Sequence, residues 1–336
     1  MSVIAVTDPN ELRLLLKRHP FLRPGTTLGA PSLGRHWITE FCDAYGHLRQ
    51  VFAVVVYEAG RPQLVAPLQV VSSTAAVFLC GDGSDHNDLL WSTPDIQVLE
   101  QALRFMAGRG LRALLLSRMP SDTDTIRLFR EIKGSIAVFI SVEQGEASPY
   151  VECKKNMAID RWPGVDVSRI KYLQRKRSAL EQKYTCRFRI LDDAKEIEVV
   201  LPVLFEIHRK RWHQRGIVSK FADENRSAFT RAICTSALTR GELFLAILEI
   251  AGHVIAYTIG FRCGETIFDW NSCFDITWGR WSPGALLQLD ILERCEEFGI
   301  STYDMLRGTE SYKFDWTSKT RGNCTIFCSL EEHQNH

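Results

Sequence analysis

Hydrophobic positions change their spacing along the second half of the chain, and the change separates strands from a helix. A run rich in aromatic and β-branched residues predicts a strand over 266–274. The apolar residues that follow recur at helical spacing: Leu287, Ile291, Cys295 and Phe298. Gly299 is typical of a helix end, and a second strand is predicted over 301–306. The pattern is a strand, a helix with one buried face, and another strand.

The residues that open this helix favour the binding of an anion. Ser282 is predicted as the N-cap and Pro283 as the first helical residue, where a missing N–H costs nothing. Gly284 is expected to leave room for a ligand near the free amides. No acid stands in the first turn and Arg280 is nearby, so a phosphate is favoured there. The alternative is an ordinary well-capped helix.

A second copy of this pattern lies 189 residues earlier, without a gap. Thr93-Pro94 corresponds to Ser282-Pro283, Gly110 to Gly299 and Arg118 to Arg307. Only two copies are present, which predicts a duplicated domain rather than a solenoid. Asp95 replaces Gly284, and an acid in a first turn repels phosphate. One anion site is therefore expected, in the second half.

The remaining hydrophobic patterns predict an α+β fold, with a mixed β-sheet flanked by helices built twice. Strands are predicted at 51–57, 63–71, 76–80, 113–117, 136–142, 187–191, 243–250 and 254–262. Helices are predicted at 121–131, 168–184, 201–215 and 225–236. We place the domains at 1–160 and 161–336, the second carrying the donor site.

Composition narrows the class of protein. A chain of 336 residues suits two cores, and its net charge of +1 gives no field that recruits DNA. There is no apolar run of membrane-spanning length, and Met1–Asp8 lacks the pattern of a secretory signal. Ten cysteines within apolar strings indicate reduced thiols and a cytoplasmic location. Cys324 and Cys328 lack a second ligand pair, so no metal is expected.

Several motifs carry a resemblance to a known family. They are Phe205–Gly216, Gly241–Leu245 with Ile255-Ala256, Ser282–Leu287, Asp304–Trp316 and, more weakly, Gly81–Asp88. The chain resembles tandem acetyltransferase-fold proteins of the CelD cellulose-biosynthesis type, which are relatives of the FemAB peptidyl transferases within the GNAT superfamily. The resemblance implies transfer of an acyl group, usually acetyl, from acyl-CoA to an amine or hydroxyl. Exopolysaccharide or cell-envelope precursors are the implied acceptors.

One departure from the superfamily leaves the donor open. The phosphate loop of the superfamily has glycine three residues after an Arg or Gln. In this chain the residue three positions after Arg280 is Pro283. Aminoacyl-tRNA, the FemAB donor, is therefore an alternative, although helix 168–184 runs directly into a strand and leaves no long helical arm. A non-catalytic accessory protein that binds a nucleotide-linked ligand is a further alternative. The oligomeric state is not indicated.

Acyl transfer needs a base and groups that stabilise the oxyanion. Asp269, Glu310 and Tyr312 are the catalytic candidates, with His208 as another possible base. Each has a plainer interpretation: Asp269 as a solvent-facing acid, Glu310 as a helix cap and Tyr312 as a packing residue.

Two groups of binding residues follow from the motifs. The donor-binding candidates are Arg280, Trp281, Ser282, Pro283, Gly284, Ala285 and Lys313. The acceptor-binding candidates are His208, Arg211, Trp212, Arg215, Asp304 and Arg307. The segment from Arg161 to Arg189 contains nine basic residues and only two acidic ones. This basic segment is interpreted either as a grip for phosphate or RNA or as a linker helix.

Overall fold

The computed structural model describes residues 1–132 and 137–330, apart from the side chains of Asp82, Ala137 and Val138. The predicted strand 136–142 begins at a residue outside these ranges. Within them, the corresponding strand runs over Ala137–Gln144.

The chain forms two compact units, and neither begins or ends at the predicted boundary between 160 and 161. Of the described residues, unit 1 contains 1–132, 137–147 and 321–330, and unit 2 contains Ser148–Thr320. Strand pairing explains the difference. Unit 1 includes a strand from the C-terminal part of the chain, and the strand at 148–152 joins the sheet of unit 2.

Unit 1 has a mixed sheet in the order β1-β3-β4-β5-β7-β16-β8, with the short strands β2 and β6 beside it. Its strands are β1 (Ser2–Val6), β2 (Arg23–Pro24), β3 (Val51–Glu58), β4 (Arg61–Ser72), β5 (Ala75–Phe78), β6 (Leu90–Trp91), β7 (Ala113–Pro120), β8 (Ala137–Gln144) and β16 (Asn323–Leu330). Its helices are α1 (Pro9–Arg18), α2 (Arg35–Tyr45), α3 (Ile96–Gly108) and α4 (Asp124–Glu131).

Unit 2 has a seven-stranded sheet in the order β10-β11-β12-β13-β14-β9-β15. Its strands are β9 (Ser148–Glu152), β10 (Cys186–Leu191), β11 (Leu243–Ile250), β12 (His253–Cys263), β13 (Thr266–Phe274), β14 (Thr302–Asp304) and β15 (Thr320–Arg321). Its helices are α5 (Val167–Glu181), α6 (Ala194–Gln214), α7 (Glu224–Thr239) and α8 (Pro283–Glu293).

The two sheets share one topology. A strand, two helices and three antiparallel strands are followed by a crossover helix, α3 or α8, that leads to a parallel strand. The sixth strand of unit 1, β16, follows unit 2 along the chain, whereas the sixth strand of unit 2, β9, is the first element of its own unit. The α+β fold with two mixed sheets is therefore confirmed.

Some predicted element bounds are wrong for identifiable reasons. Helix α6 begins seven residues earlier than predicted because the Asp193 side chain accepts from the amide of Glu196, and Pro202 is tolerated within the helix. Helix α8 ends at Glu293 rather than near Phe298, and turns continue to Gly299, which has φ of +63°. Helices α1 and α2 and strands β1, β9 and β16 were not predicted.

Each unit has its own hydrophobic core. In unit 1 the core surrounds α3, and in unit 2 it surrounds α8, whose residues from Leu286 to Leu292 are all buried. Because α8 is buried on nearly all its faces, it is packed firmly against the sheet, and its N-terminus has a defined position. Within the described ranges, we find no helix that combines the length and apolar character needed to cross a membrane.

Candidate active site

In unit 2, the neighbouring strands β13 and β14 separate toward their carboxyl ends. They pair in parallel only from Thr266–Thr302 to Phe268–Asp304, after which β14 ends and β13 continues to Phe274. Helix α8 begins beyond the same end of β13. The carboxyl ends of parallel strands and the start of the crossover helix share an edge, which is where ligands bind in such sheets.

The first turn of α8 lacks the predicted side-chain cap. Ser282 occupies the N-cap position, but its backbone is left-handed, with φ of 56° and ψ of 48°, and its side chain caps no amide. A capping serine needs extended backbone geometry, so the prediction of a Ser282 cap is wrong. Its hydroxyl instead accepts a hydrogen bond from Nζ of Lys176 at 2.9 Å. Ser282 therefore leaves the amides of Gly284 and Ala285 uncapped, beside a cation.

The space at Gly284 has a different use from the predicted one. A Cβ at this position would lie 3.1 Å from Cδ1 of Phe274, so the ring of Phe274 packs directly against the glycine. The guanidinium of Arg211 lies 3.7 Å from the centroid of the same ring. The expectation of open room above Gly284 is corrected: glycine permits the aromatic ring to approach α8. Phe274 thereby connects Arg211 on α6 with the start of α8.

Further cations surround the residues before α8. Trp281 is buried, whereas Arg280 is exposed. The Arg280 guanidinium lies 5.2 Å from the Trp281 ring centroid, and Nζ of Lys183 lies 5.6 Å from it. Pro283 is the first helical residue, as predicted, so the first available helical amide is that of Gly284.

Asp269 is held in a hydrogen-bonded network between the separating strands. Its Oδ2 accepts from the Tyr303 hydroxyl at 2.8 Å and its Oδ1 from the Ser272 hydroxyl at 2.5 Å. Ser272 in turn shares a hydrogen bond of 2.8 Å with Thr258 on β12. A bulge between Ile259 and Gly260 shifts the register opposite Asp269. The half-buried carboxylate is therefore oriented by two donors, unlike a simple solvent-facing acid.

Two tyrosines near Asp269 keep their protons. Burial and the charge of Asp269 raise the pKa of Tyr303 well above its ordinary value. The Tyr312 residue as a whole is 49% exposed. Desolvation of its phenol, followed by the charges of Asp269 and Glu310, nevertheless raises its pKa. Both phenols are thus neutral hydrogen-bond donors across the ordinary pH range.

Glu310 and Lys313 belong to one internal loop. Lys313 is buried, and its Nζ donates to the carbonyl oxygens of Leu306, Arg307 and Gly308 at 3.3, 2.9 and 3.4 Å. Its remaining neighbour is Oε2 of the exposed Glu310, at 3.2 Å. These contacts make Lys313 a support of the loop after β14, which corrects its assignment to donor binding. Glu310 forms no helix-capping hydrogen bond.

Asp304 has a similar internal role. It is completely buried, and its Oδ1 accepts from the amide of Leu306 at 2.8 Å. A buried carboxylate that fixes its own loop is not available to an acceptor molecule, so its assignment to acceptor binding is corrected. Arg307, the next predicted acceptor residue, is half-buried.

His208, Arg211 and Arg215 do not form one solvated stripe. His208 is buried, with Nδ1 2.8 Å from the Ser219 hydroxyl and its ring stacked on Trp212. Burial, followed by the charges of Lys220 and other cations, lowers the His208 pKa to about 3. His208 is therefore a buried, neutral side chain held by Ser219 and Trp212. Arg215 is exposed, with its guanidinium 5.2 Å from the Trp212 ring centroid.

The basic segment 161–189 includes α5, which packs on α8 within unit 2 and is not a linker. Several of its cations pair with carboxylates of the same unit: Arg169 with Asp315, Arg177 with Asp290 and Glu293, and Arg189 with Glu196. Lys176 differs, since it contacts Ser282.

Sequence patterns did not single out Lys176, Phe274, Tyr303 or Ser272. Tyr303 falls within a predicted strand, but its partner Asp269 is 34 positions away and the bulge sets the register. Among the described residues, no group of three or more His, Cys, Asp or Glu side chains is placed to hold a metal.

Comparison with family models identifies a domain in the second half of the chain. Residues 168–314 match the family model described as Acetyltransferase (GNAT) domain. The matched stretch includes Asp269, Tyr303 and the whole of α8. No curated protein sequence matches the chain.

Solved structures match over nearly the whole chain at low identity. A Bacteroides thetaiotaomicron protein of unknown function has a TM-score of 0.63 at 12% identity, covering 98% of this chain and 99% of that one. FemX has a TM-score of 0.57 at 11% identity, covering 99% and 98%. A tandem GNAT protein from the clavulanic acid biosynthesis pathway has a TM-score of 0.50 at 12% identity, covering 97% of both chains.

At these identities the similarity concerns the fold. Full coverage by a tandem GNAT protein agrees with the two sheets of equal topology. The family match falls on the stretch whose edge carries the uncapped helix start and the Asp269 network. The chain therefore has a tandem GNAT-like fold, with a stretch in its second half that matches the GNAT acetyltransferase domain.

Proposed function

We propose that unit 2 is an acyltransferase that takes an acyl group, in the simplest case acetyl, from acyl-CoA. The observation that carries the proposal is the parting of β13 and β14 beside the uncapped start of α8. The family match over residues 168–314 supports a thioester donor. In this proposal, the amides of Gly284 and Ala285 hold the donor's phosphate, with Arg280 adding positive charge.

The chemistry requires an amine or hydroxyl to attack the acyl carbonyl, so that a C–N or C–O bond forms while the C–S bond breaks. We assign Asp269 as the group that accepts the proton of the nucleophile, directly or through water. Tyr303 and Ser272 keep its carboxylate oriented for that transfer. Tyr312 keeps its phenolic proton and donates a hydrogen bond to the leaving sulfur.

Unit 1 is proposed to be without a donor site. The amides that open α3 are occupied, because the Asp95 carboxylate accepts from Gln97 and Val98 at 2.7 and 3.3 Å. A carboxylate at this position both satisfies the helix start and repels a phosphate.

The acceptor is proposed to be a saccharide-linked or cell-envelope amine or hydroxyl, on the basis of the resemblance to CelD-type and FemAB-type proteins. The ten cysteines are all free, which supports a location in the reducing cytoplasm.

Calorimetry with acetyl-CoA tests the donor site. Asp95 is the N-cap of α3, so the matching position in unit 2 is Ser282, not Gly284 as the sequence alignment of the copies suggests. We expect Ser282→Asp to weaken binding by roughly tenfold or more, because the new carboxylate opposes the phosphate. Ser282→Asn is the neutral control of equal size and should stay within a few-fold of wild type. No binding by wild type, or equal binding by both variants, contradicts the proposal.

A further inference from the structure

We propose that Lys176 on α5 supplies the side-chain cation that binds a phosphate group of the donor, an inference that rests on the proposed acyl-CoA site. The proposed site described above consists of helix amides on α8 with Arg280 beside them. Helix α5 precedes the first strand of the unit 2 meander and contributes this lysine from outside the strand–helix–strand segment. Lys176 thereby becomes a specificity-determining residue for phosphate-bearing donors.

The contacts of Lys176 fix its ammonium at the start of α8. Nζ donates to the Ser282 hydroxyl at 2.9 Å and lies 4.9 Å from the ring centroid of Tyr172. A lysine ammonium has three donors, so the bond to Ser282 leaves donors for a ligand. The side chain is half-buried and its ammonium is held by two neighbours, which lowers the entropy lost when it binds an anion.

Charge pairing separates Lys176 from Arg169 and Arg177 on the same helix. The guanidinium of Arg177 contacts Asp290 at 2.9 Å and Glu293 at 2.6 Å, and Arg169 contacts Asp315 at 3.0 Å. Across residues 1–132 and 137–330, by contrast, Lys176 has no carboxylate oxygen within 4 Å, and the same holds for Lys183 and Arg280. The cations next to the helix start therefore carry charge that no nearby carboxylate offsets, an arrangement suited to an incoming anion.

Calorimetry with three donors of graded phosphate content tests this role. The probes are acetyl-CoA, acetyl-dephospho-CoA, which lacks the 3′-phosphate, and acetyl-pantetheine, which lacks every phosphate. The variant is Lys176→Gln in the full chain. Lys171→Gln and Arg175→Gln are the matched controls, because both residues are exposed on α5 and each change removes one positive charge.

We expect Lys176→Gln to weaken acetyl-CoA binding by roughly tenfold, the size of one charge-assisted hydrogen bond, and the controls to stay within about twofold. Acetyl-pantetheine binding should be unchanged by all three substitutions. Loss of the Lys176 effect with the dephospho compound assigns the contact to the 3′-phosphate, and its persistence assigns it to the pyrophosphate. Both results support the inference.

Two results overturn it and are distinguishable from failure of the proposed function. One is acetyl-CoA binding by Lys176→Gln within twofold of wild type. The other is an equal loss in the two control variants, which would show that α5 acts only through its general field. If wild type binds none of the three donors, the proposed acyl-CoA function itself is wrong.

Discussion

Helices α3 and α8 have the same place in two sheets of the same topology, but they begin differently. The first residue before α3 is Asp95, which bonds two amides of the first turn. The residue before α8 is Ser282, whose left-handed backbone turns its hydroxyl toward Lys176. One helix start is closed by a carboxylate, and the other is uncapped by its side chain and flanked by cations.

The strands on either side of these helices also differ: β5 and β7 are tied together in unit 1, whereas β13 and β14 part in unit 2. In unit 1, β5 ends at Phe78, and the segment after it is tied to β7. Arg118 donates to the carbonyl oxygens of Gly81 and Ser84, both at 2.8 Å, and the Asn87 amide donates to the Arg118 carbonyl. In unit 2, β13 continues to Phe274 and carries Asp269 where the strands part. The two units thus share a scaffold, but the connection after β5 is tied to β7, whereas β13 and β14 part beside an uncapped helix start.

The largest expected effect is on catalysis in unit 2. Asp269→Asn preserves the size of the side chain and removes the proposed proton acceptor, so kcat should fall by roughly 10²- to 10⁴-fold. Acetyl-CoA affinity should change little. Steady-state release of CoA, measured with an amine acceptor, checks the result.

The control for this prediction is Asp95→Asn in unit 1, which should leave kcat unchanged. Equal activity of Asp269→Asn and wild type would remove Asp269 from the mechanism. A loss of kcat in Asp95→Asn would contradict the division of roles between the units.

The next effect is a loss of stability in acid that originates in unit 2. His208 has a folded-state pKa of about 3, below its ordinary 6.5, so its stabilising contribution is present above pH 6.5 and is lost as the pH falls toward 3. By linkage the change amounts to roughly 3–5 kcal/mol. Thermal unfolding between pH 7 and 4 should show a steeper decline for wild type than for His208→Gln. Parallel curves for the two proteins would disprove the assignment.

The opposite dependence is expected from unit 1. Asp88 is buried, and desolvation raises its pKa to about 6 despite hydrogen bonds from Thr123 and the amides of Gly25 and Leu89. The contribution of Asp88 to the free energy of unfolding is fully present below pH 3.8. As the pH rises through 6, this free energy falls by roughly 2–3 kcal/mol. The stability difference between wild type and Asp88→Asn, followed by calorimetry from pH 4 to 7, should shrink accordingly. A difference independent of pH contradicts this prediction.

The smallest effect concerns the helix starts themselves. Asp95→Ala removes two hydrogen bonds to the first turn of α3 and should cost about 1 kcal/mol of unfolding free energy. Ser282→Ala removes no capping bond and should cost less than about 0.5 kcal/mol. Urea unfolding of both variants compares them. Equal costs would mean that Ser282 caps α8 in solution, which would weaken the contrast between the two units.

Local patterns in the sequence were sufficient for the elements nearest the site. The strands at 243–250 and 266–274 and the Pro283 helix start agree with the structure, because alternating apolar runs and a Ser-Pro pair are strong local signals. Helix α1 was missed although Asp8 and Pro9 form a recognisable start, with Asp8 capping the amides of Asn10 and Glu11.

The remaining features depend on contacts between distant parts of the chain. Strand β16 is separated from the rest of unit 1 by the whole of unit 2, and β9 pairs with the distant β14 of its own unit. Local periodicity does not encode such pairings. The direction of the Ser282 hydroxyl follows from a left-handed backbone and from Lys176, 106 positions away. The packing of Phe274 on Gly284 likewise reversed the expected role of the glycine. Such roles are set by tertiary packing rather than by residue type.

Hydrogen–deuterium exchange of the full chain, with and without acetyl-CoA, tests the central claim most directly. Amides that bind a phosphate are protected from exchange, and the protection maps to particular peptides. We predict added protection at the start of α8, in the peptide that spans Pro283–Leu287, and no change at the start of α3 near Asp95. Protection at α3, or none at α8 when the donor is bound, would contradict an account in which unit 2 alone carries the donor site.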